Sequence, residues 1–157
     1  MPEQTGEIVI HQETEDFKEY REGMFQLVIQ LKAKKVFEIG TDVGDSARIW
    51  AEALKLTGGH LWTVDIKEPK WGEWKPTNTT VITASSLDIN IDEEVDILFV
   101  DGDHTYQHVL EELKRFGVWV RKGGKILLHD TLHSEFGAQV TGAIMAWTKG
   151  MELAWTN

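Results

Sequence analysis

With 157 residues, an apolar fraction of 41% and seven tryptophans, the chain can bury a real core, so we expect a single folded domain over residues 1–157. Its formal net charge of -10 repels phosphate backbones, which argues against a nucleic-acid substrate. The absence of cysteine excludes disulfides and thiolate metal sites, and no apolar run has the length of a membrane span or the form of a signal peptide, so we expect a cytoplasmic protein.

Hydrophobic periodicity predicts the elements of the N-terminal half. In chain order these are a flexible lead-in over 1–13 with a short extended piece at 8–10, an amphipathic helix at 14–33, a strand at 36–39, a helix at 45–56 and a strand at 60–65. The segment 67–76 contains Pro69, Gly72 and Pro76, so we interpret it as a loop or one broken turn. Its Trp71 and Trp74 either cover a bound ligand or anchor the loop on the domain surface.

The C-terminal half continues the alternation of strands and helices. Its predicted elements are strands at 79–84 and 95–101, a helix at 105–120, a strand at 125–129, a helix at 138–148 and a final strand at 151–155. Strands that alternate with helices form a parallel sheet with right-handed crossovers. The predicted fold class is therefore α/β, a Rossmann-like, doubly wound, mostly parallel sheet with helices on both faces.

Acidic residues stand at the ends of the predicted strands, and they are Glu38, Asp65, Asp101 and Asp130. The carboxyl ends of parallel strands meet at one edge of a sheet, where ligands bind in such folds, so we expect these acids to converge on one site. The turn after the first of them contains Gly40 and Gly44, which lack a Cβ and let backbone amides approach a ligand. Two acid-ended strands joined by a helix predict a nucleoside site.

Four segments also match a known family pattern, and they are Phe37-Glu38-Ile39-Gly40 with Gly44 and Ser46, Val64-Asp65, Phe99 to Tyr106, and Gly123 to Thr131. With these segments the chain resembles class I S-adenosylmethionine-dependent methyltransferases over residues 14–150. Within that superfamily it is most similar to small-molecule O-methyltransferases and cephalosporin-hydroxylase-like proteins. The resemblance implies a sheet that ends in an antiparallel hairpin, and we expect this hairpin to be truncated.

The resemblance implies that the cofactor is S-adenosyl-L-methionine. The implied contacts are Glu38 at the ammonium group, Gly40, Gly44 and Ser46 in the turn, Asp65 with Ile66 at the ribose, Ser85, Ser86 and Leu87 at the adenine, and Asp101 near the methionyl group. The family often has Gly-x-Gly-x-Gly in the turn, but position 42 is Asp. A carboxylate there repels a diphosphate, which favours the sulfonium cofactor over NAD.

The resemblance also implies a divalent cation. In metal-dependent members of the family, acids after the fourth and fifth strands hold an ion that orients a hydroxyl substrate; Asp101 and Asp130 match them, and His129 is the third expected ligand. Oxygen-rich sets suit Mg²⁺ or another divalent cation. His104, with Asp130, is the expected catalytic base for the acceptor hydroxyl, or it only bonds a neighbouring acid. A zinc site of His104, His108 and His129 is a further alternative.

Three functions follow from these patterns. The leading one is methyl transfer to a small-molecule acceptor, with a hydroxyl oxygen as its target. The second is a cofactor-binding module without catalysis, and the third is an NAD-linked oxidoreductase, which the absence of Gly-x-Gly-x-x-G disfavours. Because the chain stops at Asn157, where the first hairpin strand would end, we also expect a homodimer that covers the sheet edge.

Overall fold

The computed structural model describes residues 7–11, 17–131, 135–149 and 154–156. Its strands are β1 (Glu7–His11), β2 (Lys35–Ile39), β3 (His60–Asp65), β4 (Thr79–Thr83), β5 (Val95–Val100), β6 (Val120–Leu128) and β7 (Ala154–Thr156). Its helices are α1 (Phe17–Leu31), α2 (Asp45–Thr57), α3 (Tyr106–Phe116) and α4 (Gly137–Trp147). In these ranges the structure has no helix that combines the length and the apolarity needed to cross a bilayer.

One sheet joins all the strands, in the order β4-β3-β2-β5-β6-β1-β7. Every pairing within the described ranges is parallel. The strand order reverses between β2 and β5, which is the switch point where a cleft opens at the carboxyl ends of the strands. The doubly wound fold predicted from the sequence is confirmed.

Helices cover both faces of this sheet, and the sequence of β5 shows how one strand packs against both layers of helices. Ile97 and Phe99 belong to the buried cluster that packs on α1 and α2, whereas Leu98 and Val100 belong to the cluster that packs on α3 and α4. Successive strand residues point to opposite faces. A strand covered on both faces therefore needs a continuous apolar run, which is what β5 has.

The start of β6 differs from the sequence prediction. The strand begins at Val120 instead of residue 125, and its register with β5 shifts between Val95 and Ile97. Gly124 lies inside this irregular stretch, where a Cβ would come within 2.7 Å of the carbonyl oxygen of Asp96. Gly124 therefore serves close strand packing, and the helix predicted to run to residue 120 already ends at Phe116.

The two ends of the chain supply the strands beyond β6. Residues 7–11 form β1 where a flexible lead-in was predicted, and β1 pairs in parallel with β6, so the extended piece at 8–10 is confirmed. β7 pairs in parallel with β1. Residues 151–153 of the predicted final strand lie outside the described residues. Because β1 and β7 cover the edge of β6, a homodimer is not needed there and stays a prediction.

Candidate functional site

Two adjoining cavities lie at the carboxyl edge of the sheet, beside the switch point between β2 and β5. The larger has a volume of about 500 Å³ and is walled by the ends of β2, β3 and β5 and by α3; we call it the large cavity. The smaller, of about 190 Å³, is walled by the turn after β2 and the start of α2; we call it the small cavity. Gly40, Asp42 and Asp101 line both cavities and therefore stand between them.

Most of the predicted site residues lie at these cavities. The large cavity is lined by Gly40, Asp65, Ile66, Ser85, Ser86, Asp101 and His104, and the small cavity by Gly40, Ser46, Asp101 and His129. Four predicted residues line neither cavity, and they are Glu38, Gly44, Leu87 and Asp130. Each of these four is connected to the site through a neighbouring residue.

The turn after β2 needs glycine at its first position. Gly40 has φ +93°, and a Cβ there would lie 2.1 Å from the carbonyl oxygen of Asp101. The Gly40 amide donates to the carbonyl of Val64, and the Asp101 amide donates to the carbonyl of Ile39. The turn is thereby held between the ends of β3 and β5, with its backbone against both cavities.

A tryptophan occupies the outer side of the same turn. Gly44 has φ +83°, and a Cβ on it would lie 2.7 Å from the ring of Trp71. Arg48 donates a hydrogen bond to the carbonyl of Trp71, and Trp71 makes an edge contact with Trp74. Neither tryptophan lines either cavity. Of the two roles considered for them, the structure supports the loop anchor.

Asp65 holds the turn with its carboxylate. Its Oδ2 accepts hydrogen bonds from the backbone amides of Thr41 and Asp42, each at 2.9 Å. Its Oδ1 accepts one from the amide of Lys67 at 3.1 Å. A carboxylate has about four lone-pair sites. With three donors found among the described residues, Oδ1 keeps one acceptor site that none of these hydrogen bonds uses.

Glu38 lies beneath the turn and is fully buried. Its carboxyl accepts hydrogen bonds from the hydroxyls of Ser46 and Thr63, both at 2.7 Å. Burial raises the pKa of Glu38 to about 8, against the opposing effect of these hydrogen bonds. Because Ser46 lines the small cavity and Glu38 does not, Glu38 is connected to the cavity by Ser46 and has no direct contact with it.

Two histidines face the acids that end β5 and follow β6. His104 Nε2 lies 2.6 Å from Asp130 Oδ2 and 3.6 Å from Asp101 Oδ1. His129 Nδ1 lies 3.0 Å and 3.2 Å from the same two oxygens. The neighbouring carboxylates therefore attract protons onto both imidazoles.

The protonation of these histidines follows from their surroundings. A hydrogen bond to Asp101 raises the pKa of His104, although burial opposes it. Burial lowers the pKa of His129, but Asp101 and Asp130 outweigh it and raise the pKa to about 9. His104 also stacks on Phe136, with ring centroids 5.1 Å apart. Both side chains therefore have restricted orientations and favour the protonated state.

The described residues contain one group of side chains that could hold a metal ion. Asp101, His104 and Asp130 each offer a ligand atom, and these atoms lie within 4.8 Å of one another. Two carboxylate oxygens and one imidazole nitrogen suit a divalent cation. His104 takes the place in this set that the sequence analysis assigned to His129. The predicted zinc set is not brought together, because His108 lies in a different cluster.

That cluster was missed by the sequence analysis. The hydroxyl of Ser86 donates to Glu112 Oε1 at 2.6 Å, and His108 Nε2 lies 3.2 Å from the same oxygen. Burial raises the pKa of Glu112. Glu112 lies one helical turn after His108 in α3, and this spacing was the signal available in the sequence. Asp103 also lines the large cavity. Hydrogen bonds from Thr105 lower the pKa of its carboxyl.

Comparison with known families finds a model described as a methyltransferase domain, which matches residues 37–131. This range includes the turn after β2, Asp65, the acid after β6 and all the residues that line the two cavities except Tyr20. Among curated proteins, an uncharacterized protein of Acanthamoeba polyphaga mimivirus is 40% identical over 50 residues. These residues are 32% of this chain and 23% of that protein, so the chain matches only a small part of that relative.

Several solved structures have a similar fold. An S-adenosylhomocysteine-bound methyltransferase of Podospora anserina aligns with a TM-score of 0.60 at 19% identity, over 86% of this chain and 69% of that one. A Staphylococcus aureus protein provisionally assigned as a caffeoyl-CoA O-methyltransferase aligns with a TM-score of 0.67 at 15% identity, over 87% and 76%. A Bacillus cereus O-methyltransferase in complex with S-adenosylhomocysteine gives 0.59 at 18%, over 88% and 70%. At such low identity, these structures establish the fold alone.

Proposed function

The chain belongs to the methyltransferase-domain family of class I S-adenosylmethionine-dependent methyltransferases, and from this premise we propose that it binds S-adenosylmethionine and transfers its methyl group to a small-molecule acceptor. One observation carries the proposal. The turn after β2 lies against the backbone of Asp101, beside a cavity of about 500 Å³. In this turn, the backbone amides of Thr41 and Asp42 donate hydrogen bonds to the carboxylate of Asp65. The chain's net charge of -10 favours a small acceptor over a nucleic acid.

The cofactor fits the residues that line the two cavities. Asp65 keeps an acceptor site on Oδ1 for a ribose hydroxyl, and Ile66, which is 70% exposed at the large cavity, offers an apolar surface to a base. Ser85 and Ser86 line the same end of the large cavity. Ser46 and Asp101 line the small cavity, where a charged amino-acid tail meets acceptors. When bound, the cofactor supplies a methyl group activated by a sulfonium centre.

The acceptor in this proposal is a hydroxyl compound, and the proton of its hydroxyl passes to His104. Asp130 lies 2.6 Å from His104 Nε2, so it holds the imidazole and stabilises the positive charge that forms there. Only the unprotonated imidazole can accept the proton. Because Asp101 raises the pKa of His104, the reactive fraction of the enzyme grows as the pH rises.

A divalent cation is a second candidate partner of the same residues, since the ligand atoms of Asp101, His104 and Asp130 lie close together. Such a cation would lower the pKa of a bound hydroxyl. The two roles of His104 exclude each other, because Nε2 carries either the proton or the ion. His129 contacts both carboxylates through Nδ1 and would position them in either case.

S-adenosylhomocysteine is expected to bind in isothermal titration calorimetry, and Asp65→Ala is expected to weaken it by about 100-fold. The carboxylate holds two turn amides and offers an acceptor to the ribose, and each hydrogen bond to a charged group contributes about 1.5–3 kcal/mol. Glu73→Ala, at an exposed acid of the following loop that lines neither cavity, should leave the affinity unchanged. Absence of any binding at millimolar concentration would overturn the proposed function, and wild-type affinity in Asp65→Ala would overturn the site assignment.

Methyl transfer is tested with a panel of catechols and sugar hydroxyls in the presence of chelator or of Mg²⁺. We expect transfer to at least one hydroxyl compound, and we expect Asp130→Asn to lower its rate by about 100-fold, within the range that a general base contributes. Transfer that survives the chelator assigns His104 as the base; transfer that requires added Mg²⁺ assigns the cation. Cofactor binding without transfer to any acceptor would favour the cofactor-binding module.

A further inference from the structure

Glu112 is a buried acid whose carboxyl is only half satisfied. Its side chain is 1% exposed, and its Oε1 accepts the hydrogen bond from Ser86. Its Oε2 has no hydrogen-bond partner among the residues that the structure describes. An unsatisfied buried carboxyl oxygen costs folding free energy, so a fold that retains one gains from a donor supplied from outside.

The position of Glu112 points to the source of that donor. The side chain forms part of the wall of the large cavity, next to Ser86 and His108. Its Oε1 lies directly under Gly102, where a Cβ would come within 3.6 Å of it. Ser86 is also one of the residues at the base end of the proposed nucleoside site. A ligand in this cavity therefore brings the edge of its base toward the carboxyl of Glu112.

The carboxyl can turn toward such a ligand. The last torsion of a glutamate side chain is broad and soft, so the two oxygens exchange positions at little cost. A ligand N–H then donates to the oxygen that Ser86 leaves free. When the carboxyl is ionised it has no proton to donate, so a ligand carbonyl oxygen at the same point would meet a like partial charge.

We propose that Glu112 is a specificity-determining residue that selects a nucleoside whose base bears an amino group, a 6-aminopurine, over one that bears an oxo group. The inference rests on the proposed function, because it assumes that a nucleoside occupies the large cavity. It goes further in naming a residue on α3, outside the loops that follow the strands, as the group that distinguishes the two bases. Burial raises the pKa of Glu112, so the preference for the amino compound is expected where the pH is high enough to ionise the carboxyl.

The test compares, at alkaline pH, S-adenosylhomocysteine with S-inosylhomocysteine, in which an oxo group replaces the amino group at C6 of the base and the adjacent N1 carries a hydrogen. Wild-type protein is expected to bind the amino compound about 30-fold more tightly, as expected when a hydrogen bond to a charged group is replaced by repulsion. Glu112→Met keeps the length of the side chain and removes the acceptor. We expect it to reduce the ratio to about threefold or less, mainly by weakening the amino compound.

The matched control is Glu111→Met, at the adjacent position of α3, where the side chain is half exposed and pairs with Lys114. It should keep the wild-type ratio. If Glu112→Met does not fold, Glu112→Gln serves instead, because the charge is lost in either orientation of the amide and the ratio must fall. A wild-type ratio near one, or a wild-type ratio retained in the folded Glu112 variant, would overturn the inference. Failure of S-adenosylhomocysteine to bind wild-type protein would instead overturn the proposed function.

Discussion

Gly40→Ala is expected to abolish S-adenosylhomocysteine binding and to lower the free energy of unfolding by about 3–5 kcal/mol. The new Cβ would lie 2.1 Å from the carbonyl oxygen of Asp101, and the residue would have to keep φ +93°. The nearest atoms to the new Cβ are the backbone oxygen and carbon of Asp101, so no side-chain rotation relieves the clash. The ends of β2 and β5 would have to move apart, and Asp101 lines both cavities.

Gly72→Ala is the control that separates the cost of the steric clash from the cost of the left-handed backbone conformation. Gly72 has φ +66°, but a Cβ there meets nothing within 4 Å. The variant should therefore lose only about 1–2 kcal/mol of unfolding free energy, which is the cost of a left-handed non-glycine residue. It should bind S-adenosylhomocysteine normally. Urea unfolding measures the stability of both variants, and calorimetry measures their binding. If the two variants behave alike in both measurements, then the close approach at Gly40 does not determine the site.

Glu38→Gln is expected to remove a pH dependence of stability of about 4–5 kcal/mol between acidic and mildly alkaline solution. Burial raises the pKa of Glu38 from 4.5 in the reference state to about 8 in the folded protein. The folded state thus retains its proton in a range where the unfolded state has lost it. The stabilisation from the neutral carboxyl is complete below about pH 4.5 and is lost as the pH rises through about 8. Glutamine stays neutral throughout.

The measurement is urea unfolding of both proteins from about pH 5 to about pH 9, within the window that the pKa shift defines. The difference in unfolding free energy between wild type and Glu38→Gln should change steadily with pH. The wild type should become less stable relative to the variant as the pH rises. The contributions of His104 and His129 are present in both proteins and cancel. Glu94→Gln, at an exposed position before β5, should give a difference that does not vary with pH. A constant difference for Glu38→Gln would contradict the buried neutral carboxyl.

Much of the fold followed from local patterns. Val36 to Ile39 and Val95 to Val100 are mostly apolar segments, each with a single acid, and such segments form strands where both faces of a sheet are covered. The boundaries that failed depend on distant contacts. α3 ends at Phe116 where Gly117 packs against the ring of Trp147, and β6 starts early because Gly124 packs against Asp96. Neither neighbour is close in the sequence.

The candidate site divides in the same way. Parallel strands end at one edge, so the convergence of Asp65 and Asp101 on the large cavity was predictable from their places after apolar runs. The orientation of a side chain near a turn depends on residues that are distant in the sequence. Only the structure placed Glu38 beneath Ser46, outside both cavities, and moved His104 into the group with Asp101 and Asp130.

The sequence by itself determined the order of strands and helices, the family and the edge of the sheet that carries the site, because hydrophobic period and strand-end residues are properties of short segments. Only the tertiary structure decided which of those residues line the cavities, which lie buried behind them, and that Glu112 of α3 lines the large cavity. The physical reason is burial, since the environment of a side chain is set by elements far away in the chain. The same burial raises the pKa values of Glu38 and Glu112.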